Sequence, residues 1–176
     1  MELTPDQKGG IAEVSIASRA TLLGIGVSRP VVEGLRYDLI FDWHLGLQRI
    51  QCKWATLSSG AVVIRPFSSR RSGSTEIKRT YSADDVDAIA GYCLELDDVW
   101  IVPIATVTQQ RALHLRLSPA KNNQRSRVIM ASSYRLGAVA QLGERRRGTA
   151  KARGSSPLSS IDREPSARAA LVVEGP

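Results

Sequence analysis

The stretch Arg36 to Trp54, RYDLIFDWHLGLQRIQCKW, decides the fold. Read with period two, its second half has two faces: Arg49, Gln51 and Lys53 on one, Ile50, Cys52 and Trp54 on the other. That is a half-buried strand with an apolar underside. Asp38 to Trp43 alternates likewise, with Leu39, Phe41 and Trp43 opposite Asp38, Ile40 and Asp42. His44-Leu45-Gly46-Leu47-Gln48, between them, contains a glycine and is short enough for a hairpin loop. Closing the hairpin brings Asp38 into the neighbourhood of Gln51 and Lys53. An acid, an amide oxygen and a lysine on one face of a sheet suit phosphodiester cleavage.

The chain around this hairpin has 176 residues, enough for one domain with a sizeable core. Its apolar fraction of 43% is ordinary for a globular protein. No apolar run approaches the ~20 residues of a membrane helix. The opening Met1-Glu2-Leu3-Thr4-Pro5-Asp6 is polar and acidic, unlike a signal peptide, so no membrane partner is expected. A net charge of +7 suits a polyanion, most commonly nucleic acid; a merely solvated basic surface is the plain alternative. Cys52 and Cys93 both sit in apolar contexts and read as buried, reduced thiols of a cytoplasmic protein.

Working outward toward the N-terminus, Thr4-Pro5-Asp6-Gln7 reads as a helix start, with Thr4 as N-cap, Pro5 at the first position and Gln7 closing a capping box. The helix is expected to run to about Leu23, with Ile11, Val14, Ala17 and Ala20 at helical spacing. Gly9 and Gly10 are poor helix formers, and a close approach to another backbone would explain them. Glu13 lies one turn beyond Gly9, on roughly the same face; a solvated helix acid is the equal alternative. Gly24-Ile25-Gly26-Val27 turns into an extended segment, which Ser28-Arg29-Pro30 breaks.

Toward the C-terminus, Gly60 to Phe67 reads as a third strand, Ser68 to Thr75 as a polar loop and Glu76 to Tyr81 as a returning strand. This excursion carries Arg65, Arg70, Arg71, Lys78 and Arg79, which suit contacts with duplex phosphates or form a solvated charge run. Ser82-Ala83-Asp84-Asp85 predicts the N-terminus of a second helix ending near Leu96, with Val86, Ile89, Ala90 and Cys93 as its apolar stripe. Capping accounts for Asp84, Asp85 and Asp87 better than metal binding does. Val99 to Ile104, VWIVPI, predicts a buried strand reached by a helical crossover and parallel to its neighbour. Leu113 to Leu117 alternates as a strand, Pro119 to Arg127 reads as a loop, and Val128 to Tyr134 as one last short element. His44 and His114 have no triad or metal-spaced partner.

Several motifs follow one another along the chain: Gly9/Gly10–Ala12–Glu13, Arg36-Tyr37-Asp38-Leu39, Ile50-Gln51-Cys52-Lys53, Tyr81-Ser82-Ala83-Asp84-Asp85-Val86-Asp87, Tyr92-Cys93, Val102-Pro103, and Leu115-Arg116-Leu117 followed by Pro119 and Lys121-Asn122-Asn123. Together they resemble the PD-(D/E)xK nuclease superfamily, and most of all its small homing-type endonucleases with Gln in place of the usual acid. The resemblance covers roughly Lys8 to Tyr134. It implies an α/β fold: a restriction-endonuclease-like core, with a mixed β-sheet flanked by helices; composition adds a disordered C-terminal tail after it. It implies that Asp38 is the central metal ligand and that Glu13 reaches the same Mg²⁺ or Mn²⁺ directly or through water. Gln51 would offer its side-chain carbonyl, and Lys53 would lie against the attacking water and the scissile phosphate. Double-stranded DNA is the implied substrate. Cutting both strands would need a homo-oligomer, a dimer or tetramer. The rivals are a DNA-binding protein on the same fold that no longer cuts, and a structure-selective nuclease.

The domain is thus placed at residues 1–136 and a basic tail at 137–176. The tail, GAVAQLGERRRGTAKARGSSPLSS onward, shows no apolar period. Val139 to Glu144 and Gly154 to Pro157 can be written with the codons of the D and T arms of a tRNA. The expectation is a reading frame that runs into a tRNA gene, as befits a gene carried by a mobile element.

Overall fold

The longest strand, β3 (Gly46–Ser58), is the spine of the fold in this computed structural model, which describes residues 2–72, 75–107, 111–119 and 128–142. Before it come α1 (Pro5–Leu22), β1 (Gly26–Ser28) and β2 (Leu39–Trp43). After it come β4 (Ala61–Ile64), β5 (Phe67–Ser72), β6 (Thr75–Thr80), β7 (Ala88–Cys93), β8 (Asp98–Pro103), β9 (Leu113–Arg116), β10 (Ile129–Met130) and a helix over residues 136–142, α2.

The cap of α1 is the one its sequence predicts. Gln7 N–H donates to Thr4 Oγ1 at 3.2 Å, and Thr4 N–H to Gln7 Oε1 at 2.9 Å. The buried stripe is Ala12, Ile16 and Ala20; of the expected face, Ala20 is buried, Ile11 and Ala17 are half-buried, and Val14 is 64% exposed. No backbone approaches Gly9 or Gly10: a Cβ on either would meet open space, so the expected close contact is not their reason.

β2 and β3 form the expected antiparallel hairpin, from Leu39 opposite Ile50 to Trp43 opposite Gly46. The turn is tighter than the sequence suggests. Only His44 and Leu45 lie outside the strands, because Gly46 takes a φ of +84° that a side chain would disfavour. Leu39, Phe41 and Trp43 are buried and Asp42 is exposed, as the alternation requires.

The two edges of β3 are used differently. One edge carries β2 beside residues 46–50 and then β4 beside residues 55–58, both antiparallel. The other carries β7, parallel, beside residues 50–55. Residues 51–54 therefore have a strand partner on one side only. The sheet forks there, and the fork is where Asp38, Gln51 and Lys53 gather.

The expected second helix is not formed. Residues 83–85 make a turn, and β7 follows as a strand whose every residue is buried. β8 is a strand, as expected, but it runs antiparallel to β7 through a tight turn with Asp97 at φ +44° rather than parallel after a crossover. A strand buried on both faces shows no alternation, and its apolar residues fall at helical spacing by accident. The expected loop after Ser68 is instead the hairpin β5–β6, a two-stranded sheet of its own. The expected strand at Leu113 is β9, and the last short element is β10 with a 3₁₀ turn.

α1 and α2 cover one face of the sheet. Ala12, Ile16 and Ala20 meet Leu39, Phe41, Ile50, Cys52, Ala88, Ala90 and Ile101 there, and Leu136, Val139 and Ala140 complete the layer. The core thus reaches past Gly137, where no apolar period was expected. The opposite face joins Ile64, Ile89, Cys93, Trp100, Val102, Leu113 and Leu115. Residues 143–176, with most of the expected basic tail, lie outside the described residues, as does nearly all of the expected loop from Pro119 to Arg127. No helix among the described residues is long and apolar enough to cross a membrane.

Candidate active site at the fork of the sheet

Asp38 precedes β2, and its N–H donates to Ile50 C=O at 2.9 Å, which extends the ladder by one bond. The next N–H on β3, that of Cys52, has no strand opposite it on this edge. It donates to Asp38 Oδ2 at 2.7 Å. A side chain thus satisfies a backbone donor that the fork would otherwise leave unpaired. Gln51 Nε2 donates to the same Oδ2, and also to the Cys52 carbonyl at 3.3 Å. Two residues on, Lys53 Nζ donates to the Tyr81 hydroxyl at 3.0 Å, and its charge acts on Asp38.

Glu13 comes from α1 and shares a cleft of about 250 Å³ with Asp38, Tyr37 and the loop from Arg29 to Leu35. Arg29 Nη2 donates to Glu13 Oε2 at 2.8 Å. Glu13 is therefore no merely solvated helix acid. The structure brings Glu13, Asp38, Gln51 and Lys53 to one place.

Both carboxyls are pushed above their ordinary range. Burial raises Asp38, against the Cys52 N–H, the Lys53 charge, the Gln51 amide and Arg29. Burial raises Glu13 as well, and the charge of Asp38 adds to it, against the paired Arg29. Two carboxylates that repel one another in a half-dry cleft suit a cation between them. The donors are all oxygen, as a hard divalent ion prefers. Among the described residues no three His, Cys, Asp or Glu side chains converge, so this donor set is two carboxylates and an amide. Gln51 turns its Nε2 toward Asp38, and half a turn of the amide exchanges that donor for Oε1.

The acids after Tyr81 hold arginines rather than a helix end. Asp87 Oδ2 accepts from Arg49 N–H at 2.8 Å and from Arg49 Nε at 3.2 Å. Asp85 accepts from Ser82 N–H at 3.1 Å and lies 3.3 Å from Arg36 Nε and 3.7 Å from Arg79 Nη2. Burial works against the charge of Asp85, but the bonds from Arg36 and Ser82 hold its carboxyl below the usual range.

Of the expected phosphate contacts, Arg65 is exposed just after β4. The other four lie on β5–β6. In register, Ser68 pairs with Arg79, Ser69 with Lys78, Arg70 with Ile77 and Arg71 with Glu76. Lys78 and Arg79, adjacent on β6, fall on opposite faces of the ribbon. Lys78 Nζ stands 5.3 Å from the centre of the Phe67 ring, and Arg79 is tied to Asp85.

Sequence reading passed over Arg29, Arg36 and Tyr81. Arg29 looked like a strand breaker, and Arg36 and Tyr81 entered only as parts of motifs. Nothing in linear spacing says that residues 36, 53 and 81 meet.

A mixed sheet with a carboxylate at its fork, an amide and a lysine on the next strand and an acid from the first helix defines a restriction-endonuclease-like fold. A family model for PD-(D/E)XK endonuclease matches residues 3–137, and the chain belongs to that family. It is an endonuclease, of a family whose members generally use divalent metals. Among solved structures it is similar to that of a bacterial homing endonuclease, I-Ssp6803I, at 24% identity and a TM-score of 0.62, with 86% of this chain and 100% of the other covered. No curated protein matches the chain.

Proposed function

We propose that the chain is a divalent-metal-dependent endodeoxyribonuclease that cuts double-stranded DNA at a specific site, of the homing type or carried by a mobile element. The observation that carries this reading is the Asp38 carboxylate at the fork, with Gln51 bonded to it, Lys53 two residues on and Glu13 in the same cleft. Asp38 and Glu13 would hold Mg²⁺ or Mn²⁺, with the Gln51 carbonyl as a third donor. The bound ion would make a water more acidic and neutralise charge on the phosphate oxygens. Lys53 would orient the attacking water and steady the charge that grows on the phosphoryl group.

The ribbon β5–β6, with Arg65 beside it, would grip the duplex. A two-stranded ribbon fits a major groove, and basic residues on both its faces would reach the phosphates on either wall. One chain carries one such site, so cutting both strands calls for a dimer or tetramer. The homing-type reading draws on the likeness to I-Ssp6803I and on the codons from Val139 onward; sequencing the locus and finding no tRNA gene there would remove the second support.

Plasmid cleavage tests the proposal. The wild type should cut with Mg²⁺ and stop with EDTA, and Lys53→Ala should bind DNA and cut it only at a trace rate. A wild type that binds DNA and never cuts it, with Mg²⁺ or Mn²⁺, would establish the binding protein instead.

A further inference from the structure

Lys53 is held from behind by a residue that the nuclease reading gives no role. Its ammonium donates to the Tyr81 hydroxyl at 3.0 Å and lies 5.0 Å from the centre of the ring. The ring is fixed in turn. The Arg36 guanidinium lies over it, with Cζ 4.2 Å from the centroid. Arg36 is anchored to both strands of the ribbon at its base, by Nη1 to Ser68 Oγ at 3.1 Å and by Nη2 to Thr80 C=O at 2.8 Å. It also reaches Asp85, with Nη2 3.4 Å from Oδ2. Tyr81 directly follows β6 and packs against the second core cluster.

We infer that Tyr81 is a positioning residue for Lys53. The inference rests on the nuclease reading for its effect on cleavage. A lysine side chain has four rotatable bonds and loses much freedom when it is fixed. Its ammonium has three hydrogens. The Tyr81 hydroxyl takes one and so sets the direction of the other two, which are left for a water and a phosphate oxygen at the fork. The ring alone would serve packing and the stack with Arg36; only the hydroxyl serves Lys53. Phenylalanine therefore separates the two roles.

The experiment compares wild type, Tyr81→Phe, Tyr81→Leu, Lys53→Ala and the double variant Lys53→Ala/Tyr81→Phe in Mg²⁺-driven plasmid cleavage, with kcat and KM measured separately and the weakest variants read under enzyme excess. Tyr81→Phe should lower kcat roughly tenfold, the scale of a slightly misplaced group, with KM and Tm unchanged. Tyr81→Leu, which also removes the stack under the ribbon, should lower kcat further and raise KM. In the Lys53→Ala background, Tyr81→Phe should have no effect on the remaining rate. A Tyr81→Phe rate within about twofold of wild type, or an equal loss with and without Lys53, would overturn the inference. A wild type that never cuts would sink the nuclease reading alone, because the ammonium resonance of ¹⁵N-labelled Lys53 still decides. It should move on Tyr81→Phe, and an unchanged resonance would overturn the positioning role.

Discussion

The fork and the ribbon use charge in opposite ways. At the fork, Asp38 is half-dry and its Oδ2 is fixed by a backbone N–H and an amide, while Lys53 is tied to Tyr81. On the ribbon β6 is solvent-exposed, and basic residues stand on both of its faces. The difference suits the two roles proposed for them. Chemistry on a phosphodiester needs groups held to a fraction of an ångström, and burial with complete hydrogen bonding supplies that. Gripping a polyanion needs charge within reach of phosphates, and exposed side chains that adapt their rotamers do it well.

The contrast breaks most visibly if the fork tolerates change. Asp38→Asn should reduce cleavage by about 10³-fold or more while leaving DNA binding near wild type. The same variant should melt at a higher temperature than wild type when no metal is present at pH 7. The folded chain favours the neutral carboxyl of Asp38, so the stability linked to it is complete below the unfolded value of about 4 and is lost as pH rises through the raised folded value. Thermal melts at several pH values check this, and the advantage of Asp38→Asn should vanish on acidification toward about pH 4.

Ribbon variants should do the reverse. Arg71→Ala with Lys78→Ala should weaken DNA binding about tenfold or more, with kcat kept. The slope of log K against log salt should fall by roughly one for each phosphate that the variant no longer neutralises. A loss of kcat with binding intact would mean that the ribbon belongs to the catalytic machinery. Gln51→Glu sharpens the picture of the fork itself. A third carboxylate should move the metal concentration for half-maximal cleavage downward, and indistinguishable metal curves would show that the amide is no ligand. The smallest effect is on stability alone. Gly91 lies opposite Lys53 on β7, and a Cβ there would come within 2.7 Å of Ile64 Cγ1. Gly91→Ala should cost about 1–3 kcal/mol, read as a lower Tm, with the cleavage mechanism unaltered once folded.

The same two regions mark how far the sequence could be read. The hairpin and its residues are legible because a half-buried strand alternates: Gln51 and Lys53 fall together on its polar face, and Asp38 lies opposite the apolar face of the strand before it. The capping box at Thr4 was legible because its partners are three residues apart. β7 reads in sequence as a helix because full burial erases alternation, and because the acids ahead of it resemble a helix start while they in fact bind Arg36 and Arg49. The first strand of the ribbon reads in sequence as a loop, since polar strands carry no apolar signal. α2 was passed over because seven residues with three buried positions are too few to show a period. Tyr81 and Arg29 were hidden for a different reason: their partners lie 28 and 16 residues away, and only the topology joins them.

The central claim is that the fork gathers two carboxylates and an amide as a site for one divalent cation. Calorimetric titration of Mn²⁺ into the wild type, Asp38→Asn and Lys53→Ala tests it most directly. The account predicts binding by the wild type and by Lys53→Ala, and binding weaker by about tenfold or more in Asp38→Asn. Equal Mn²⁺ affinity in all three, or none in the wild type, would contradict it.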